Sequence, residues 1–140
     1  MNRRNFIQLS LLGAGASFAA PSLVSANSTP LAAGAIYYTA QNTGRWQGKE
    51  ATHLPNISVE KTGEKAVIKI ITAHEMKAYA HYIVKHVLLD KNYQFVAEKM
   101  FDPTKDSLAS SEFSLENYSG VIYALSMCNK HDVWLAQATV

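Results

Sequence analysis

Cysteine is almost absent: one thiol, Cys128, in 140 residues. A single cysteine excludes an intramolecular disulfide, so even in an oxidising compartment the fold must stand on its buried core. Long apolar runs are missing too. The run over residues 9–20 is interrupted by Gly13, Gly15 and Ser17, is followed by Pro21, and falls short of the ~20 residues a membrane-spanning helix needs. Charge of one sign is equally scarce. The formal net charge of +2 includes Arg3 and Arg4, and no Lys/Arg cluster with interleaved aromatics occurs, which argues against nucleic acid as a partner. What remains plentiful is apolar residue, 48%, enough for one domain of about a hundred residues with its own core.

Arg3 and Arg4 precede the apolar run, and Val24-Ser25-Ala26 forms a small-residue cleavage pattern. Residues 1–26 therefore read as a twin-arginine signal peptide, which leaves a periplasmic protein without stable membrane insertion once cleaved. That route carries folded proteins, a hint of a cofactor inserted beforehand. Residues 27–48 read as a leader and N-terminal arm, small and polar with Pro30 as far as Gly34, with a short strand expected over residues 35–39.

Residues 49–140 are expected to form the folded domain. A loop over residues 45–55 carries His53. Residues 56–61 and 65–72 alternate apolar and polar around a turn at Gly63, and further strands are expected over 81–89, 93–99, 112–115, 120–127 and 133–140. Residues 73–80 read as a crossing loop or a single helical turn. About seven strands without a long helix is the signature of an all-β fold, a β-sandwich.

The chemistry concentrates in the last hairpin, where Cys128 and His131 sit three residues apart between two strands, so that a thiolate and an imidazole can converge on one metal. A lone cysteine is by default a buried small hydrophobe. The remaining histidines, His53, His74, His81 and His86, shift that default because they suffice for a coordination sphere. His86 is set aside: on a period-two strand it faces away from His81, and it reads as a partly exposed or hydrogen-bonded histidine.

Three segments in order, His53-Leu54-Pro55, His81-Tyr82-Ile83 and Cys128-Asn129-Lys130-His131-Asp132-Val133-Trp134, resemble the iron-site motifs of the superoxide reductase family, the desulfoferrodoxin and neelaredoxin group. The resemblance implies an immunoglobulin-like β-sandwich over about residues 49–140. It also implies one iron held by His53, His74, His81 and His131 with Cys128 as the axial ligand, and an open position where ferrous iron reduces superoxide by one electron. The axial thiolate pushes electron density towards that position. No four-cysteine second iron site is present. The implied partners are superoxide and an electron donor protein, with a homo-oligomer possible.

The chain departs from the family pattern at four places. His74 and His81 are seven residues apart where the family has six, so the intervening loop must bulge or another residue must serve. Asp132 stands in place of a glycine, a residue type that tolerates left-handed backbone better than most. Before His53 the family's glutamate and lysine are replaced by Ala51 and Thr52, with Lys49 and Glu50 further upstream. Lys49 or Lys130 is expected to supply the positive field that attracts an anion, and Glu50 is the candidate for a carboxylate in the open position. Three rivals follow: an iron-binding electron-transfer or redox-sensing protein of the same fold, a blue-copper carrier, which lacks the methionine expected after His131, and a structural sandwich with a buried thiol.

Overall fold

The computed structural model describes residues 32–140. The expected signal peptide and the start of the leader lie outside the described residues. Seven strands follow in order: β1 (Asn56–Thr62), β2 (Lys65–Thr72), β3 (Ile83–Leu89), β4 (Phe95–Met100), β5 (Ala109–Glu116), β6 (Val121–Cys128) and β7 (Asp132–Thr139). They form two antiparallel sheets, β1-β2-β5 and β4-β3-β6-β7, the two-sheet order of an immunoglobulin-like sandwich. The expected all-β sandwich of about seven strands is what the chain adopts.

Alternation explains the layering. Along β2, Ala66, Ile68, Ile70 and Thr72 are buried while the residues between them face outward; β6 buries Ile122, Ala124, Ser126 and Cys128 in the same way. The apolar members of these rows meet Leu88 of β3 to form the central core. A second, smaller cluster of Ile83, Phe101, Ala109 and Cys128 fills the end of the sandwich where β6 runs into its last turn. Each row thus ends, at that end, in a polar or metal-competent side chain.

Two local expectations are corrected. The strand expected over residues 35–39 shrinks to single bridges: the Tyr38 amide donates to the Val133 carbonyl (2.9 Å) and the Leu135 amide to the Tyr38 carbonyl (2.8 Å), docking the arm on the free edge of β7. The arm folds back on itself tightly enough that a Cβ on Gly44, whose φ is 49°, would collide with the Gly34 carbonyl. The loop expected to carry His53 contains a 3₁₀ turn, Gly44–Trp46, and a one-turn helix α1 (Glu50–His53), which His53 closes before Pro55. A four-residue helix has too few turns to leave a periodic signal.

Candidate metal centre

Three stretches deliver five side chains to one end of the sandwich. Helix α1 delivers His53. The exit of β2 delivers His74, whose amide donates to the Thr72 carbonyl (2.8 Å). His81 follows a narrow loop in which Lys77 and His81 bridge across the 3₁₀ turn Ala78–Ala80. Ala78 there has φ 44°, so the extra residue between His74 and His81 is absorbed as a left-handed bulge and His74 still faces His81. The β6–β7 turn delivers Cys128 and His131, and Asp132, at φ 63°, turns the chain back into β7 where the family has glycine.

Asn129 ties the second stretch to the third. Its side-chain oxygen accepts from the Tyr82 amide (3.1 Å), while its side-chain nitrogen donates to the Tyr79 (3.2 Å) and Ala80 (3.3 Å) carbonyls, bracketing His81. Its own amide donates to the Tyr82 carbonyl (3.2 Å).

The five donor atoms lie within 4.8 Å of one another. His53 Nε2 is 3.0 Å from His131 Nδ1, which is 3.1 Å from His81 Nε2, which is 3.0 Å from His74 Nε2. Cys128 Sγ lies 3.6 Å from His131 Nδ1 and 3.8 Å from His74 Nε2. Neighbouring nitrogens at this separation are what imidazoles bound at right angles around one ion at about 2.1 Å present, so the donor set fits a single metal.

The outward nitrogens fix the tautomers. His53 Nδ1–H donates to the Lys49 carbonyl (3.0 Å) and to the Thr52 hydroxyl oxygen (2.8 Å), whose own proton goes to the same carbonyl (3.3 Å). His74 Nδ1–H donates to the Glu75 carbonyl. With those protons outside, the inward Nε2 atoms of His53 and His74 carry free lone pairs, as ligation requires.

All four rings are also kept neutral. Burial, followed by the charge that His74 would carry, lowers His53 from 6.5 to about 4, against the pull of the Lys49 carbonyl. Burial is the leading cause of the lowered values at His74, His81 and His131 as well. The charge of Lys130 comes next at His81, with Lys77 and Lys49 also contributing, whereas at His131 it is His81 that comes next, followed by Lys49 and Lys130. Neutral imidazoles are the form that binds metal. The Lys130 amide points at Cys128 Sγ (3.5 Å), a donor suited to a thiolate.

Glu50 stands apart. Its carboxylate accepts from the Gly48 amide (3.2 Å), and the residue lines a cleft on the side of Leu54, Pro55 and Ile71. His86 is fully buried and bonded to Thr72 and Ser111, outside the five-donor group. The sequence alone assigns no supporting role to Thr52 or Asn129. Of these, only Asn129 left a signal, since it lies inside the Cys128–His131 turn and Asn is a residue of turns.

The family model for desulfoferrodoxin matches residues 45–137. No curated protein matches the sequence. Among solved structures, a point variant of the superoxide reductase (neelaredoxin) from Ignicoccus hospitalis is similar at TM-score 0.65 and 25% identity, over 75% of this chain and 93% of that one. A superoxide reductase solved in the oxidised state gives TM-score 0.55 and 27% identity, over 69% of this chain and 93% of the other. The superoxide reductase from Nanoarchaeum equitans, at 19% identity, shares the fold with TM-score 0.57 over 65% of this chain and 94% of its own. The matched span runs from the arm's 3₁₀ turn to β7 and contains all five donors, so this chain belongs to the desulfoferrodoxin family.

Proposed function

We propose that His53, His74, His81, His131 and Cys128 hold one iron and that the protein is a superoxide reductase, acting in the periplasm after export through its twin-arginine segment. The convergence of four imidazole nitrogens and one thiolate within 4.8 Å carries the reading. Five donors exceed the four of a structural zinc site and the three strong ligands of a blue-copper site, and imidazole with thiolate suits iron. When bound, ferrous iron supplies the electron that, with two protons, converts superoxide to hydrogen peroxide; a separate donor protein returns the electron.

The chain's own residues prepare that step. The carbonyls of Lys49 and Glu75 hold His53 and His74 in the ligating tautomer. Cys128 contributes negative charge, and the Lys130 amide restrains its sulfur. The charges of Lys49 and Lys130 both reach His81 and His131, a positive field on that side of the site that raises the local concentration of a small anion. Thr52 occupies the place of the family's lysine and is spent on orienting His53, which leaves attraction of the anion to these two lysines.

The test is to load the full mature chain with ferrous iron without oxygen and mix it with a pulse of superoxide. One peroxide formed per iron oxidised, faster than spontaneous dismutation, is the expected result, with slower capture in Lys49→Ala and Lys130→Ala and at high salt. A loaded ferrous protein that superoxide does not oxidise would leave an iron-binding electron-transfer protein of the same fold.

A further inference from the structure

His131 differs from the other imidazoles in offering Nδ1, the nitrogen next to its branch point. A half-turn of the ring would put the carbon Cδ2, which has no lone pair, in the same place. Its orientation is therefore part of the site. His53 and His74 are oriented by hydrogen bonds from their outer nitrogens, but among the described residues the outer nitrogen of His131 has no protein partner. The indole of Trp46 packs against the imidazole instead, centroids 4.7 Å apart and planes at 85°.

That indole is held by a residue next to His131 in the chain. Asp132 Oδ2 accepts from Trp46 Nε1 (2.8 Å) and from the Arg45 guanidinium (2.6 Å), and the guanidinium in turn lies 4.8 Å from the indole centroid. The backbone of the same turn is fixed from below, where Trp134 Nε1 donates to the His131 carbonyl (2.9 Å). The turn is thus clamped at its main chain by a buried tryptophan and at its ring by a half-buried one that the arm brings in.

We propose that Asp132 is a positioning residue. By holding Trp46 against His131, with Arg45 laid over the indole, it keeps Nδ1 turned towards the other four donors and so sets how firmly the metal is retained. The arm becomes part of the metal centre, joined to it by a carboxylate at a position where glycine would satisfy the backbone alone. This inference rests on the five donors holding a metal.

Asp132→Gly tests it cleanly, because glycine adopts the same positive φ without strain while the carboxylate disappears. Asp132→Asn restores an acceptor for the indole and tolerates the same backbone region. In the ferrous full chain, Asp132→Gly and Trp46→Ala should each speed loss of iron to a chelator about tenfold, the size expected for a group that orients a ligand. The double variant should be no faster than either single one, since both changes break one device. Asp132→Asn should recover most of the loss. Release at the unmodified rate in Asp132→Gly, or additive effects in the double variant, would overturn the proposal.

A second measurement separates this inference from the metal reading. In the metal-free full chain, the ring ¹⁵N signals of His131 should report one orientation in the unmodified protein and an averaged one in Asp132→Gly. If the unmodified chain takes up no iron, the proposed function fails and these signals alone decide: identical spectra for the two proteins reject the clamp, and averaging in Asp132→Gly supports it.

Discussion

Two histidine clusters lie almost side by side in this sandwich and do opposite things with the same ring. In the interior, His86 of β3 stands between Ser111 (2.8 Å from Nδ1) and Thr72 (2.9 Å from Nε2), and the Thr72 hydroxyl donates to Ser126 (2.8 Å). The protons run one way: Ser111 O–H to Nδ1, Nε2–H to Thr72, Thr72 O–H to Ser126. Every buried polar atom of the group has a partner, and the cluster is closed. Two residues further along the same strands, β2 leads to His74 and β6 ends at Cys128, and there the nitrogens face one another. A histidine's neighbours decide its role: hydroxyls complete it, whereas other imidazoles leave a shared gap of a size suited to a cation.

Removing one member from each cluster should have opposite consequences. Cys128→Ala should lower iron affinity by more than the 10–100-fold typical of supporting residues, as read by metal analysis after dialysis, while the metal-free fold survives. His86→Leu should do the reverse. It strands the buried Ser111 hydroxyl and deprives Thr72, still bonded to Ser126, of its donor, costing about 3 kcal/mol in denaturant unfolding at about 1–3 kcal/mol per unpaired group, with one iron still bound. Loss of iron in His86→Leu would show that the two clusters are one.

Acid acts on the interior cluster through His86. Burial, with the charge of Lys99 adding to it, lowers His86 from 6.5 to about 4. Above pH 6.5 neither folded nor unfolded chain protonates this ring and its contribution is complete. As pH falls from 6.5 towards 4 the unfolded chain takes a proton that the folded one refuses, so stability is lost across that window. The size is about 3 kcal/mol. In the metal-free protein the gap between unmodified chain and His86→Leu should therefore narrow on acidification by about that amount. A gap that stays constant from neutral to acid would mean that His86 is not the group titrating.

Much of this was legible in the sequence, and the reasons are local. Strict alternation in residues 65–72 and 120–127 predicts strands because one sheet face is buried and the other is not. The Cys128–His131 spacing marks a turn that brings thiolate and imidazole together, and the order of the histidines marks the rest of the five-donor group. What stayed hidden depends on contacts between distant parts of the chain. Trp46 meets Asp132 across 86 residues, a separation at which spacing carries no signal. Counting from His81 along one strand turns His86 to the opposite face, but β3 begins at Ile83 and its pairing with β6 shifts register between Ile83 and Lys85. Its full burial follows from the hydroxyls that the opposite sheet provides.

A smaller effect is expected at Thr52, where the family's lysine is missing. Thr52→Val keeps the shape and removes the hydroxyl that accepts from His53 Nδ1–H, yet the Lys49 carbonyl still accepts from the same proton. Iron affinity should therefore fall by about tenfold or less, at the low end for an orienting group, and Thr52→Ser should restore it. An unchanged affinity in Thr52→Val would assign the whole orienting role to the carbonyl.

The smallest effect concerns the extra residue between His74 and His81. Ala78 takes up the extra length with φ 44°, a conformation that costs an ordinary L-residue roughly 1–2 kcal/mol. The interior cluster carries no such strain, because His86, Thr72, Ser111 and Ser126 all lie on regular strands. Ala78→Gly removes the steric cost but adds about 0.4–1 kcal/mol of chain entropy to the unfolded state. The balance is a net stabilisation of about 0.5–1 kcal/mol, measurable as a shift in the denaturant midpoint with an unchanged slope. Iron affinity should not move, since His74 and His81 are held by the Glu75 carbonyl and by Asn129 rather than by Ala78. If glycine instead destabilises the chain, the loop is relaxed as it stands, and the spacing of seven is accommodated without strain.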